Sequence, residues 1–174
     1  MPPDNPEAVF KAWLDEHGGI ICRVARIYAR SADDRQDLAQ EILLQLWRSL
    51  PRYEGKASPC TWVYRVALNT ALAWGRAERR RRQRQVRLLD VEETPAVETE
   101  PGERYRDRET LEQLYAAIHR LPKVDAAVLL LYLDDLGYRE MAEVLGISEN
   151  HVGVKLNRAR KALAQLLKEV LHDP

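Results

Sequence analysis

The sequence predicts an all-α protein: two small helical domains joined by a flexible acidic linker, the C-terminal one containing a helix-turn-helix. Three observations predict it. Apolar residues recur at helical spacing in almost every segment, with no convincing strand alternation. In the middle, Val91 to Gly102 is acidic, carries two prolines and a glycine, and lacks a sustained apolar stripe. Further on, Tyr138 to Leu163 reads as two short helices across a tight turn, the second running into a basic tail.

The elements follow in order. A first helix is predicted over about Pro6 to Glu16, ended by His17-Gly18-Gly19, and a second over about Ile20 to Arg30. Ser31, with Asp34 three residues on, predicts a capping box opening a third helix to about Ser49, where Pro51 stops it. Leu38, Ile42, Leu46 and Leu50 form its apolar stripe, while Asp37, Glu41 and Gln45 run along another face. Ser58-Pro59 supplies an N-cap and a first-turn proline for a long helix into the arginine run. Beyond the linker, helices are predicted at about Asp107 to Arg120, Lys123 to Leu133, Tyr138 to Leu145 and Ser148 to Leu171, with Leu121-Pro122 and Gly137 as breaks. The organisation is therefore a domain over 1–84, a linker over 85–106 and a second domain over 107–174.

Bulk properties exclude several classes. The chain has 174 residues, enough for one large domain or two small helical ones. The apolar run from Val128 to Leu133 is far too short to span a membrane, and the N-terminus lacks the basic start and apolar core of a signal peptide. A cytoplasmic location is expected. Cys22 and Cys60 are isolated, and are expected to be buried thiols. The four histidines form no cluster, and there is no glycine-rich phosphate loop, so no metal, cofactor, small-molecule substrate or catalytic constellation is expected. A net charge of zero hides segregation: the first 84 residues are basic overall, the linker is acidic, and Lys155, Arg158, Arg160, Lys161 and Lys168 share one helix. Phosphate attraction acts locally, so neutrality overall does not argue against nucleic acid.

Two segments carry binding chemistry. In Tyr138 to Leu163, Ala142 permits a close crossing, Gly146 suits the turn, and Leu145, Ile147, Val152 and Leu156 face the crossing. Ser148 is a good N-cap for the second helix, whose N-terminal turn is then free to enter a major groove. An ordinary helical hairpin is the plainer alternative. The helix from Ser58 mixes Trp62, Tyr64, Arg65, Asn69, Trp74 and Arg76 with the following arginines. Flat rings stack on unpaired bases and arginines neutralise phosphates, whereas the plainer reading makes the tryptophans core or rim residues. Asp34, Asp37, Gln40 and Glu41 gather near the start of the third helix, where dipole compensation alone would explain them.

Three stretches in order resemble the extracytoplasmic-function group of bacterial RNA polymerase sigma factors: Asp34 to Trp47, Ser58 to Arg82 and Leu121 to Leu163. The resemblance covers nearly the whole chain. It implies a promoter-specificity subunit that is not itself an enzyme, with core RNA polymerase and promoter DNA as partners and an anti-sigma factor as a further one. Asp34, Asp37, Gln40 and Glu41 match the polymerase-docking helix. Trp62, Arg65, Asn69, Arg76, Arg79 and Arg80 match the segment that captures the −10 element. Ser148, His151, Gly153, Val154, Lys155, Asn157 and Arg158 match the −35 reading helix. Gly153 and Val154 depart from the family, standing where a basic and a hydroxyl residue commonly face DNA, so an unusual or relaxed −35 preference is expected, with Asn157 and Arg158 carrying more of the readout. Two other readings stay open: an ordinary helix-turn-helix regulator working without polymerase, and a protein-interaction module with no salt-dependent DNA affinity.

Overall fold

The computed structural model describes residues 5–85 and 105–172, with side chains described for 5–77, 80 and 110–169. Seven α-helices and one 3-10 turn account for nearly all of the described residues, and no strand occurs among them. The chain divides into two compact units, Met1–Val97 and Glu98–Pro174. Most of the expected linker lies outside the described residues. At its two edges the backbone is helical, to Gln85 on one side and from Tyr105 on the other.

The first unit is three mutually packed helices: α1 (Pro6–Tyr28), α2 (Ala32–Ser49) and α3 (Pro59–Gln85), with the 3-10 turn Leu50–Arg52 after α2. The α1 helix corrects an expectation, because His17-Gly18-Gly19 does not divide it. Two interior glycines cost a helix roughly 1 kcal/mol each relative to alanine. Burial of Trp13 on one side of them and of Ile20, Ile21, Val24 and Ile27 on the other, all against the same core, offsets that cost. Asn5 caps the helix, its Oδ1 accepting from the Ala8 amide at 3.1 Å.

Caps fix the next two helix starts as expected. Ser31 Oγ accepts from the Asp34 amide and Ser58 Oγ from the Thr61 amide, each at 3.1 Å. The Leu38, Ile42, Leu46 and Leu50 stripe is fully buried. The thiols do not fit the expectation: Cys22 is exposed and Cys60 half-buried. Cys22 follows buried Ile21 but points off the inward stripe of α1, so burial of its neighbours leaves it in solvent.

The second unit is built around α7 (Glu149–His172), against which α4 (Tyr105–Arg120), α5 (Lys123–Leu133) and α6 (Tyr138–Leu145) all pack. From Asp125 to Leu131 every residue of α5 is buried, so its apolar run is the centre of this core. Gly137 lies in the break between α5 and α6 as expected, capping α6 from an extended conformation, and Asp135, at φ 60°, makes the turn before it. An aspartate tolerates that left-handed turn better than most residues. Glu140 reaches back, Oε2 accepting from the Gly137 amide at 2.9 Å. Gly146 ends α6 at φ 66°, the left-handed conformation its lack of a Cβ permits.

Two predictions test these assignments. A Cβ on Gly18 meets nothing within 4 Å, so Gly18→Ala should stabilise the chain by up to about 1 kcal/mol in chemical denaturation. A helix broken there would gain nothing. Burial also pushes the Tyr28 phenol far above its ordinary value of 10.0, and shifts Tyr53 the same way. Stability from a raised phenol is complete below the unfolded value and is lost as pH climbs toward the folded one. Thermal midpoints should therefore fall steeply above about pH 10, and Tyr28→Phe should flatten that fall.

Candidate nucleic-acid interface

Three outward helix faces carry the residues singled out from the sequence. On α2 the buried stripe leaves an opposite face made by Asp37, Gln40, Glu41 and Leu44. Their spacing of three and four residues stacks them along one side. Asp37 and Gln40 are exposed, while Glu41 is half-buried, its Oε1 accepting from Gln45 Nε2 at 2.7 Å. Asp34 is half-buried in the capped first turn. Leu44 and Trp47 are about two-fifths exposed, at 41% and 40%, and extend this face with apolar area. The Trp47 ring is steadied edge-on by Phe10 at 5.2 Å. Leu44 was not anticipated, yet its signal was present: it stands two residues, a half-turn, from both Ile42 and Leu46.

On α3 the buried face is Val63, Tyr64, Ala67, Leu68 and Ala71. Trp62, Arg65, Asn69, Arg76 and Arg80 fall on the opposite side, within a stripe about 60° wide at 100° per residue. Arg65 is half-buried, Asn69 and Arg76 are exposed, and Arg80 is exposed with Nε donating to the Arg76 carbonyl at 3.3 Å. The Arg79 side chain lies outside the described residues. Trp74 is half-buried and falls off the stripe. Trp62 is held firmly. Its Nε1 donates to Ser49 Oγ at 3.0 Å, and it closes a row of edge-to-face rings, Trp13 to Tyr53 at 4.8 Å and Tyr53 to Trp62 at 5.4 Å. The two readings of Trp62 thus merge: it is a rim residue of the core whose indole is fixed in one orientation at the end of the basic stripe.

On α7, Ser148 Oγ accepts from the His151 amide at 3.3 Å, the expected cap. Val152, Leu156 and Ala159 are buried, which turns Asn150, His151, Val154, Asn157 and Lys161 outward along one exposed stripe. Gly153 and Lys155 stand on its two flanks, both half-buried. Gly153 faces the α6 side, where a Cβ would meet the Tyr138 ring at 3.5 Å. The expectation for Arg158 meets a competing interaction. Its Nε and Nη2 both donate to Asp125 Oδ2, at 3.1 and 2.8 Å, tying α7 to a carboxylate that is only 2% exposed. Arg160 lies over the Tyr132 ring at 5.6 Å. Two of the cations on this helix therefore also brace its own unit while staying exposed, and Lys161 and half-buried Lys155 lie on and beside the outward stripe. Neither partner was legible, because Asp125 lies 33 residues from Arg158.

The arrangement offers phosphate neutralisation and an amide on α3, an exposed helix N-terminal face on α7, and an acidic, partly apolar face on α2. No group of residues able to hold a metal ion occurs among the described residues, and no described helix is long and apolar enough to cross a membrane.

Comparison with known proteins bears on this arrangement directly. The family model described as Sigma-70 region 2 matches residues 8–83, and that described as Sigma-70, region 4 matches residues 111–163. The chain is similar to RNA polymerase sigma factor SigV of Bacillus subtilis, 26% identical over 167 residues and covering 95% of each. It is 30% identical over 169 residues to ECF RNA polymerase sigma factor SigE of Mycolicibacterium smegmatis, covering 92% of this chain and 63% of that one. Among solved structures it shares its fold with the sigma factor RpoE crystallised with the anti-sigma factor NepR from Bartonella quintana. That match has a TM-score of 0.70 at 21% identity and covers 95% of this chain and 98% of that one.

Removing Arg158 would leave a buried carboxylate without its donors, and Asp125 Oδ1 already has no hydrogen-bond partner among the described residues. Arg158→Ala should cost about 1–3 kcal/mol in urea unfolding, and combining it with Asp125→Ala should recover part of that loss. Asn157→Ala, on the exposed stripe, should stay within about 0.5 kcal/mol of the parent.

Proposed function

Because the chain belongs to the extracytoplasmic-function subgroup of sigma-70 sigma factors, we propose that it binds core RNA polymerase and directs promoter recognition, DNA melting and transcription initiation. One observation carries this reading. The first unit presents two outward faces of opposite chemistry, acidic and apolar on α2, basic on α3. Phosphate is repelled by carboxylates, so the Asp37, Glu41 and Leu44 face is left for a protein, while the Arg65, Asn69 and Arg76 stripe suits a nucleic-acid strand. A regulator that only binds duplex DNA has no use for the first of these faces.

In this reading residues 1–84 dock on core polymerase and capture the −10 element, residues 107–174 read the −35 element, and 85–106 connects them. Asp34 shapes the start of the docking helix, and Asp37, Gln40 and Glu41 make the contact, with Leu44 supplying apolar area beside them. Arg65, Arg76, Arg79 and Arg80 neutralise backbone phosphates as the strands part. Asn69 offers an amide to a base edge, and the fixed Trp62 ring gives the separated strand a platform that costs little to order. Ser148, His151, Val154 and Asn157 meet the −35 duplex, Gly153 and Lys155 line the flanks of that contact, and the exposed Arg158 lies beside it. The chain contributes no catalytic group; nucleotidyl transfer stays with the polymerase. The protein works in the cytoplasm. An anti-sigma factor is a further partner, supported by the co-crystal of RpoE with NepR.

The test is transcription by purified core polymerase, with and without the chain, on a fragmented genomic library. New start sites sharing two spaced upstream elements are expected. Asp37→Ala combined with Glu41→Ala should reduce those transcripts at least tenfold, roughly 1.4 kcal/mol of lost docking, with the thermal midpoint nearly unchanged. DNA binding with no new transcripts would overturn the proposal.

A further inference from the structure

The −35 reading helix carries an apolar side chain at the centre of its outward face. Val154 is 69% exposed, the most exposed of the large hydrophobic residues described. Neither packing nor local propensity accounts for it. A β-branched residue in an exposed helix position is less favourable than the straight-chain polar residues that ordinarily fill such sites. Its surroundings leave it prominent. Asn150, His151, Asn157 and Lys161 share its stripe, and Gly153 beside it has no side chain. The two nearby guanidinium groups are turned to other work, Arg158 on Asp125 and Arg160 over Tyr132. A bidentate arginine contact to guanine O6 and N7 from Arg158, whose side chain is 65% exposed, would therefore have to give up its bonds to Asp125.

Apolar contact in the major groove has one partner among the bases, the C5-methyl of thymine. Resting on the sigma reading above, we propose that Val154 is a specificity-determining residue that seats against a thymine methyl in the −35 element. Asn157, nearly one turn further on, then offers its amide to a neighbouring adenine. At this point of the −35 element the preference is set by a methyl contact and a neighbouring amide.

Deoxyuridine isolates the methyl group, since it differs from thymidine by that group alone. Holoenzyme made from the full chain and core polymerase is assayed on a promoter selected by that holoenzyme, with each thymine of the −35 element replaced singly by deoxyuridine. At one position the substitution should weaken promoter binding about fourfold, the worth of one buried methyl group. Val154→Ala should show the same loss on the thymine promoter and no further loss on the deoxyuridine one. Absence of any sensitive thymine, or an undiminished deoxyuridine effect in Val154→Ala, overturns the proposal while leaving promoter-directed transcription intact. An equal Val154→Ala loss on every template would put the residue against protein and overturn it likewise. Failure to direct transcription from any promoter would instead remove the sigma reading, and this inference with it.

Discussion

A helix can bury only one side of itself. Both units depend on a long helix that surrenders its inward face to a small core and leaves its outward face exposed. In α3 the inward side is Val63, Tyr64, Ala67, Leu68 and Ala71, packed against α1 and α2. In α7 it is Val152, Leu156 and Ala159, packed against α4, α5 and α6. The size of each core decides how rigidly the outward face is held, and rigidity is what a recognition surface needs.

The polar devices serve the same end. Trp62 is pinned by Ser49 and Tyr53, so the end of the α3 stripe does not pay to order a swinging ring. Arg158 and Asp125 fix the rotation of α7 about its axis, because a turn of the helix would pull two donors off one carboxylate oxygen. The pair is half in solvent, at 65% exposure for Arg158, and so orients more than it stabilises. Arg158, expected on the DNA side, is thus also part of what sets the orientation of its helix.

Much of the architecture was legible. Hydrophobic period and caps gave α2, α5, α6 and α7 to within a residue, since Ser31, Ser148 and Gly146 act through local geometry that a sequence displays. The continuity of α1 was not legible, because it rests on tertiary burial outweighing two glycines. Gly137 lies in the break between α5 and α6 as expected, while the left-handed turn at Asp135 was not legible, since only the backbone shows it. At the site, the outward faces of α2, α3 and α7 follow from angular spacing, and Leu44 could have been found that way. The engagement of Arg158 with Asp125 and of Arg160 with Tyr132 could not, since each joins segments that only folding brings together.

On the proposed reading, two faces of opposite chemistry on one small unit let the chain grip polymerase while it holds a parted DNA strand. Permanganate footprinting measures this most directly, because it oxidises thymines only where they are unpaired. With core polymerase and the chain together, reactive thymines should appear just upstream of the start site, and neither component alone should produce them. Arg65→Ala with Arg76→Ala should suppress that reactivity while the chain still binds polymerase. A promoter bound tightly by the chain alone, with no unpaired thymine when polymerase is added, would contradict the account.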